Sequence, residues 1–327
     1  MNHQAMQTET FINNRPPASP LADAPESGAG SENPPAIAED REPEVSVNPV
    51  QQVVGHFARK NWSVASQDPD FMARQMEIVW DFLLDRYFRV EMDGWENLPQ
   101  APSLLAGIHS GTWLTMDAWT LCAQWWRHFG PDRILHGTAH DALMAMPVLG
   151  GYFRKVGVIP ACREAVTAAL SAGHDVIVFP GGEVDSMRSF RKRDQVVLNG
   201  RKGFVRQAIR SGVPITPVAT IGGTETVFVL SEGRTLAKLL FAKKLLRSEM
   251  APLVLGFPFG ITLEALPLHI PLPAKIRTRI MEPVFVDTDP DRADDDVYVT
   301  RIYRQVEAAI ARGVAELAGQ RRFPIFF

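Results

Sequence analysis

Apolar residues recur at helical spacing from residue 71 onward. Met72, Met76, Val79 and Leu83 fall on one face of 71–85, which predicts an amphipathic helix packed on a core. Its polar face is largely acidic, whereas a helix lying on a membrane carries Lys and Arg there. Residues 87–93 alternate as in a strand, and 94–102 read as a loop. The run Ser103-Leu104-Leu105-Ala106-Gly107-Ile108 is too short for a helix and is bounded by Pro102 and Gly111, so it predicts a buried strand. Residues 112–121 suit a helix with Thr112 as N-cap. Further strands are predicted at 134–137 and 175–179. Residues 147–160 read as a turn followed by a strand. Residues 214–222 read as a strand whose prolines favour a sheet edge or a strand start, and 275–280 as one closed by Glu282-Pro283-Val284. Helices are predicted at 163–172, ended by Gly173, at 203–210, stopped by Ser211-Gly212, and at 295–318. Strands alternating with helices give an α/β class: one domain, a mixed β-sheet flanked by helices, with no internal repeat.

Two stretches break this alternation. Residues 235–250 place six leucines and phenylalanines beside Lys238, Lys243, Lys244 and Arg247, a basic amphipathic pattern. Residues 251–274 are almost wholly apolar, with Glu264 the only formal charge and five prolines that exclude a spanning helix. The pair predicts a surface loop dipping into a membrane through residues 235–274; a buried loop is the alternative. At the other end, 1–50 are rich in Pro, Ala, Glu, Ser and Asn. Such a segment cannot offset its ordering entropy. Residues 1–60 are therefore expected as a poorly ordered tail before a domain at 61–327.

Net charge is −3, which argues against nucleic acid as a partner. Cys122 and Cys162 supply neither a disulfide framework nor a zinc pattern, so a reducing compartment is expected. The N-terminus lacks the pattern of a signal peptide, and no uncharged stretch is long enough to span a bilayer.

His109 ends the buried strand where the chain hands over to a helix, the edge at which open α/β sheets build sites. It can take a proton near neutral pH, or it can be a hydrogen-bonded histidine with no chemistry. The strand 175–179 runs into a second turn, Pro180-Gly181-Gly182-Glu183, that only small residues permit. After it comes a basic run with Arg188, Arg191, Lys192, Arg193, Arg201 and Lys202. It is either a solvated face or a holder of phosphates. His136 and His140 lie four apart, but without the zincin glutamate or a nearby cysteine no metal is expected.

In order and spacing, these pieces resemble the glycerolipid acyltransferase superfamily over about residues 85–290. They are closest to the diacylglycerol acyltransferase type 2-like branch and its bacterial relatives. That branch has a Pro-Gly-Gly turn, an Arg-Lys-Gly-Phe segment and a Gly-Val-Pro-Ile-x-Pro-Val strand. Here these are Pro180-Gly181-Gly182, Arg201-Lys202-Gly203-Phe204 and Gly212-Val213-Pro214-Ile215-Thr216-Pro217-Val218. The resemblance implies an O-acyltransferase of lipid metabolism. It would move a fatty acyl group from acyl-CoA, a co-substrate with no further cofactor, to the hydroxyl of a glycerolipid or other neutral lipid.

On that reading His109 is the general base. Backbone groups at Ser110, Gly111 or the 181–183 turn (Gly181, Gly182, Glu183) serve the oxyanion. Arg154, Arg188, Arg201 and Lys202 hold substrate. The protein would sit peripherally on the cytoplasmic face of a membrane.

Two departures matter. The common motif places Asp five residues after His; here that position is Leu114, and the first Asp is Asp117, three residues further on. Asp117 either orients His109 from across a longer turn or is a surface Asp near a helix N-terminus. Relatives acting on phosphorylated acceptors resemble one another in Phe-Pro-Glu-Gly-Thr-Arg. This chain has Phe179-Pro180-Gly181-Gly182-Glu183-Val184 and lacks that arginine, which favours a neutral alcohol over lysophosphatidate or a lysophospholipid. Two other readings are an ester or thioester hydrolase, disfavoured by the lack of a Gly-x-Ser-x-Gly elbow, and a non-catalytic lipid-binding relative.

Overall fold

A computed structural model describes residues 49–60, 62–100, 102–239, 250–264 and 269–321. Residues 1–48 of the expected tail, and 240–249 of the expected basic helix, lie outside the described residues. Residues 49–60 do not continue the tail. They form helix α1 (Pro49–Lys60), which buries Ala58 against Met144 and Phe153.

Helix α2 (Pro69–Gln75) starts where predicted, capped by Asp68, whose carboxylate accepts the Phe71 N–H at 3.0 Å. It runs on through two π-helical segments, Met76–Trp80 and Leu83–Tyr87. Their wider i→i+5 turns shift the apolar face. Met72 and Met76 are buried as α spacing predicts; beyond them Leu84 is buried, whereas Ile78, Val79 and Phe82 face outward. The predicted strand at 87–93 shrinks to β1 (Glu91–Asp93) for the same reason, since Tyr87 still belongs to the helix.

The chain continues through β2 (Leu104–Ala106), α3 (Met116–Phe129), β3 (Leu135–Ala139), α4 (Asp141–Ala145), α5 (Pro147–Lys155), β4 (Ile159–Pro160), α6 (Arg163–Ser171), β5 (Asp175–Val178), α7 (Gly182–Ser186), α8 (Gly203–Ser211) and β6 (Ile215–Ile221). Then follow β7 (Phe228–Ser231), α9 (Arg234–Leu239), β8 (Leu253–Gly256), β9 (Gly260–Leu263), β10 (Arg277–Ile280) and α10 (Asp296–Gly319).

Seven strands form one sheet in the order β1-β10-β6-β2-β5-β3-β4. β10 runs antiparallel to β6; the neighbours from β6 to β4 are parallel. The sheet is therefore mixed, as predicted. Alternate residues of β2 serve opposite layers. Leu104 and Ala106 join the core under α6, α8 and α10, while Leu105 packs with Leu121 and Trp125 of α3. Burial on both faces explains why this strand reads as an unbroken apolar run.

Three further expectations fail. Residues 147–155 are a helix rather than a turn, because Pro147 fits the first helical turn. Gly150 there allows a close approach: a Cβ would lie 2.1 Å from the Met144 carbonyl oxygen. β6 is a central strand despite Pro217. Pro217 pairs with Ala106 of β2, and on the other side its carbonyl accepts the Met281 N–H at 2.9 Å just past β10, so only the proline's own N–H is missing there; Pro214, directly before Ile215, does stand at the strand start. Finally, 251–274 is not simply a loop. β8 and β9 form a hairpin in a three-stranded antiparallel sheet with β7. Pro252 precedes β8 and Pro258 lies in the turn, where a strand tolerates proline.

His136 on β3 is fully buried. Its Nδ1–H donates to the Gly157 carbonyl at 2.7 Å, which leaves Nε2 to accept from His174 at 2.9 Å. His140 instead caps α4. Burial pushes the His136 pKa down to about 4, against the pull of the Gly157 carbonyl. The unfolded chain thus binds a proton that the native state excludes, and stability is lost as pH falls from about 6.5 through about 4. The loss should reach about 3 kcal/mol. Urea denaturation between pH 4 and 8 will show it, and His136→Gln should flatten that slope.

Candidate active site

His109 follows β2 by three residues. The Gly107 N–H still pairs with Val178 at 3.0 Å, and the His109 ring lies flat on Phe179, with centroids 3.6 Å apart and planes 12° apart. The histidine's own peptide is held from both sides. Its N–H donates to Asp185 Oδ2 at 2.5 Å, and its carbonyl accepts from Arg188 Nη1 at 2.5 Å. Arg188 and Asp185 also pair with each other through their side chains, and both are buried. Burial pushes the Asp185 carboxyl up to about 7, opposed by Arg188 and by the His109 N–H.

Helix α3 begins at Met116, after Thr115, and not at Thr112. Gly111, Thr112 and Thr115 take φ of +83°, +58° and +36°, a tight reversal that no helix contains. The three extra residues between His109 and the acid are absorbed by this turn. Asp117 therefore sits in the first turn of α3, 1% exposed, with Oδ1 3.8 Å from His109 Nδ1. That is ion-pair range, longer than a hydrogen bond. Asp117 accepts from Ser110 Oγ at 2.9 Å and from the Ala118 N–H at 2.9 Å. The His109 Nδ1 is buried without a hydrogen bond, and the ring keeps 17% exposure. Behind Ser110 lies the turn after β6. A Cβ on Gly223 would fall 2.1 Å from Ser110 Oγ, so a side chain there would push the Ser110 hydroxyl off its place against Asp117.

The structure brings His109, Ser110, Gly111 and Asp117 together. Among the described residues no hydrogen bond engages the Ser110 or Gly111 N–H, whereas the Gly182 N–H is spent on the Phe179 carbonyl at 3.1 Å. This corrects Gly182 as a donor through its own amide. Gly181 and Glu183 flank it, in the turn and in α7. Arg188 is corrected too: at 2% exposure it braces His109 and does not face a ligand. Arg201 is exposed and reaches the Pro180 carbonyl at 3.4 Å, beside half-buried Lys202. Arg154, on α5, donates to the Met144 carbonyl at 3.4 Å and shares no bond with this cluster among the described residues. Two open hollows, against α10 and beside Arg279, are lined by none of these residues. Among the described residues no group of three acidic, His or Cys side chains could hold a metal.

Sequence reasoning missed Asp185 and Phe179. The signal was present: an acid three residues before Arg188, directly after the glycine turn, is spaced to pair with it on one helical turn.

Residues 89–221 match the family described as Acyltransferase. The uncharacterized protein Rv0502 of Mycobacterium tuberculosis is 30% identical over 265 residues, covering 80% of this chain and 70% of that protein. The chain belongs to the glycerolipid acyltransferase superfamily. It is also similar to the chicken "DGAT1/2-independent enzyme synthesizing storage lipids", at 26% identity over 68% of this chain and 60% of that one. Human diacylglycerol O-acyltransferase 2 is 28% identical over 45% of this chain and 39% of its own length. This glycerolipid acyltransferase homologue is an acyltransferase with relatives of the diacylglycerol acyltransferase type 2 kind.

Asp185→Asn leaves the Arg188 charge buried without its partner, an expected cost of about 3–5 kcal/mol, read as a fall in thermal midpoint. Replacing both, Asp185→Leu with Arg188→Met, should restore most of the midpoint. Turnover should stay low in the double variant, because the His109 peptide has lost both anchors.

Proposed function

We propose that this acyltransferase moves a fatty acyl group from acyl-CoA to the hydroxyl of a neutral glycerolipid at a membrane surface, with His109 as general base. The observation that carries the reading is the half-sheltered imidazole. Nδ1 is turned inward to the Asp117 carboxylate, and the ring's remaining exposure leaves Nε2 to meet a substrate. The acceptor O–H gives its proton to Nε2 while its oxygen attacks the thioester carbonyl. Asp117 stabilises the imidazolium that forms. The C–S bond then breaks, and the CoA sulfur leaves with the proton that His109 returns. The unengaged N–H groups of Ser110 and Gly111 suit the oxyanion. Arg201 and Lys202 suit the CoA phosphates.

The membrane part of the reading rests on the hairpin. Leu253 pairs with Leu263 and Leu255 with Ile261 across β8 and β9, all four exposed, and Phe257 and Phe259 extend the row at the tip. Six large apolar groups in one exposed row exceed ordinary surface scatter. Contact on this reading is peripheral, on the cytoplasmic face; among the described residues no helix is long and apolar enough to cross a membrane. The neutral acceptor follows from the missing arginine after the Pro180 turn and from the named activity of human diacylglycerol O-acyltransferase 2. One observation favours a phosphorylated acceptor: Arg201 reaches that same turn from a later segment.

Purified protein with labelled acyl-CoA and vesicles containing either diacylglycerol or lysophosphatidate decides between them. Diacylglycerol should turn over at least about tenfold faster; faster turnover of lysophosphatidate overturns the neutral acceptor, and release of free fatty acid alone makes the protein a hydrolase. Arg201→Ala should raise the KM for acyl-CoA about tenfold with kcat nearly unchanged.

A further inference from the structure

Thr112 stands midway between His109 and Asp117, in a left-handed conformation that strains a β-branched residue. It is 1% exposed, and two bonds hold it there. Its N–H donates to the Ser186 carbonyl at 3.0 Å, and its hydroxyl donates to Glu264 Oε1 at 3.0 Å. The next residue, Trp113, donates its indole N–H to the Glu264 carbonyl at 3.3 Å.

Glu264 directly follows β9. It is 5% exposed, and its own N–H donates to the Pro252 carbonyl at 2.9 Å, at the foot of β8. Its Oε1 also lies 2.8 Å from Nδ1 of buried His269. That contact is within ion-pair range but lacks hydrogen-bond alignment, for neither ring nitrogen of His269 has a hydrogen-bond partner. A nucleophile relay needs the imidazole between hydroxyl and carboxylate. Here the carboxylate stands between Thr112 and His269, so the trio cannot activate Thr112. It forms a brace: one side chain ties the base of the exposed apolar hairpin to the middle of the catalytic turn.

We propose that Glu264 is a positioning residue that couples the β8–β9 hairpin to the His109–Asp117 turn, so that seating the hairpin on a lipid surface holds the turn in its working conformation. The inference rests on the reading above that the hairpin docks on lipid. Lipid contact with Leu253, Leu255, Ile261 and Leu263 fixes both hairpin strands at once. Glu264, bonded at the base of both, is fixed with them. Thr112 is then kept in a conformation it would not choose alone, and the spacing of Asp117 from His109 follows from it. Trp113, 39% exposed beside this brace, adds an amphipathic ring suited to the same interface.

Hydrogen exchange of the full chain, with and without phosphatidylcholine–diacylglycerol vesicles, tests this. Peptides spanning 107–118 and 253–263 report the turn and the hairpin. In the wild type, vesicles should slow both about tenfold. In Thr112→Val and Glu264→Ala the hairpin should stay protected while the turn loses its protection. The kcat should fall about 10- to 100-fold in both, with KM for the acceptor within about twofold. Thr112→Ser, which keeps the hydroxyl, should behave as wild type. Equal protection of the turn in Thr112→Val, an isosteric change, overturns the coupling. So does a wild-type turn indifferent to vesicles that do protect the hairpin. A hairpin that vesicles leave unprotected overturns the docking reading instead, and the coupling with it.

Discussion

Two buried charges, Asp185 and Arg188, grip the backbone of one histidine from opposite sides. Neither reaches a substrate. The acid takes the His109 N–H, the guanidinium takes its carbonyl, and each neutralises the other where water cannot. An isolated buried charge of either sign would be costly; together they fix a peptide whose side chain must keep a constant aim. Phe179 then lies flat against one face of that ring. The site is thus assembled from the ends of β2 and β5, adjacent parallel strands, with the turn after β6 packed behind Ser110.

The same clamp explains how an unusual spacing is tolerated. With the His109 backbone fixed at one end and α3 at the other, the five residues between Ser110 and Met116 need only close a short gap, and they do so by entering left-handed conformations. Length is traded for strain within the turn. The acid therefore arrives in the first turn of α3 and not one turn further along its axis.

Much of this was legible beforehand. β2 and β5 stand out because strands buried on both faces are continuous apolar runs, and α6 and α8 are bounded by their own stop signals. His109 and Asp117 were nameable because a strand end followed by a helix start is a local pattern. What was not legible depends on contacts between distant segments. Arg188 looked like a phosphate ligand, since nothing local says that a cation will be buried against a histidine 79 residues earlier. The hairpin at 253–263 hid behind its prolines, because uniform apolarity masks alternation when the exposed side is apolar too. The outward turn of Val79, expected on the buried face, follows from the π-helical segment at Met76–Trp80, for which α spacing gives no warning.

The central claim is that the His109 imidazole takes the proton from the acceptor alcohol. The most direct measurement is the acyl-transfer rate of His109→Gln against wild type at saturating acyl-CoA, with thermal midpoints recorded alongside. A fall of about a thousandfold or more at an unchanged midpoint is the predicted result. A rate within about tenfold of wild type in a folded variant would contradict the claim, for proton abstraction by a positioned base is not dispensable at that level.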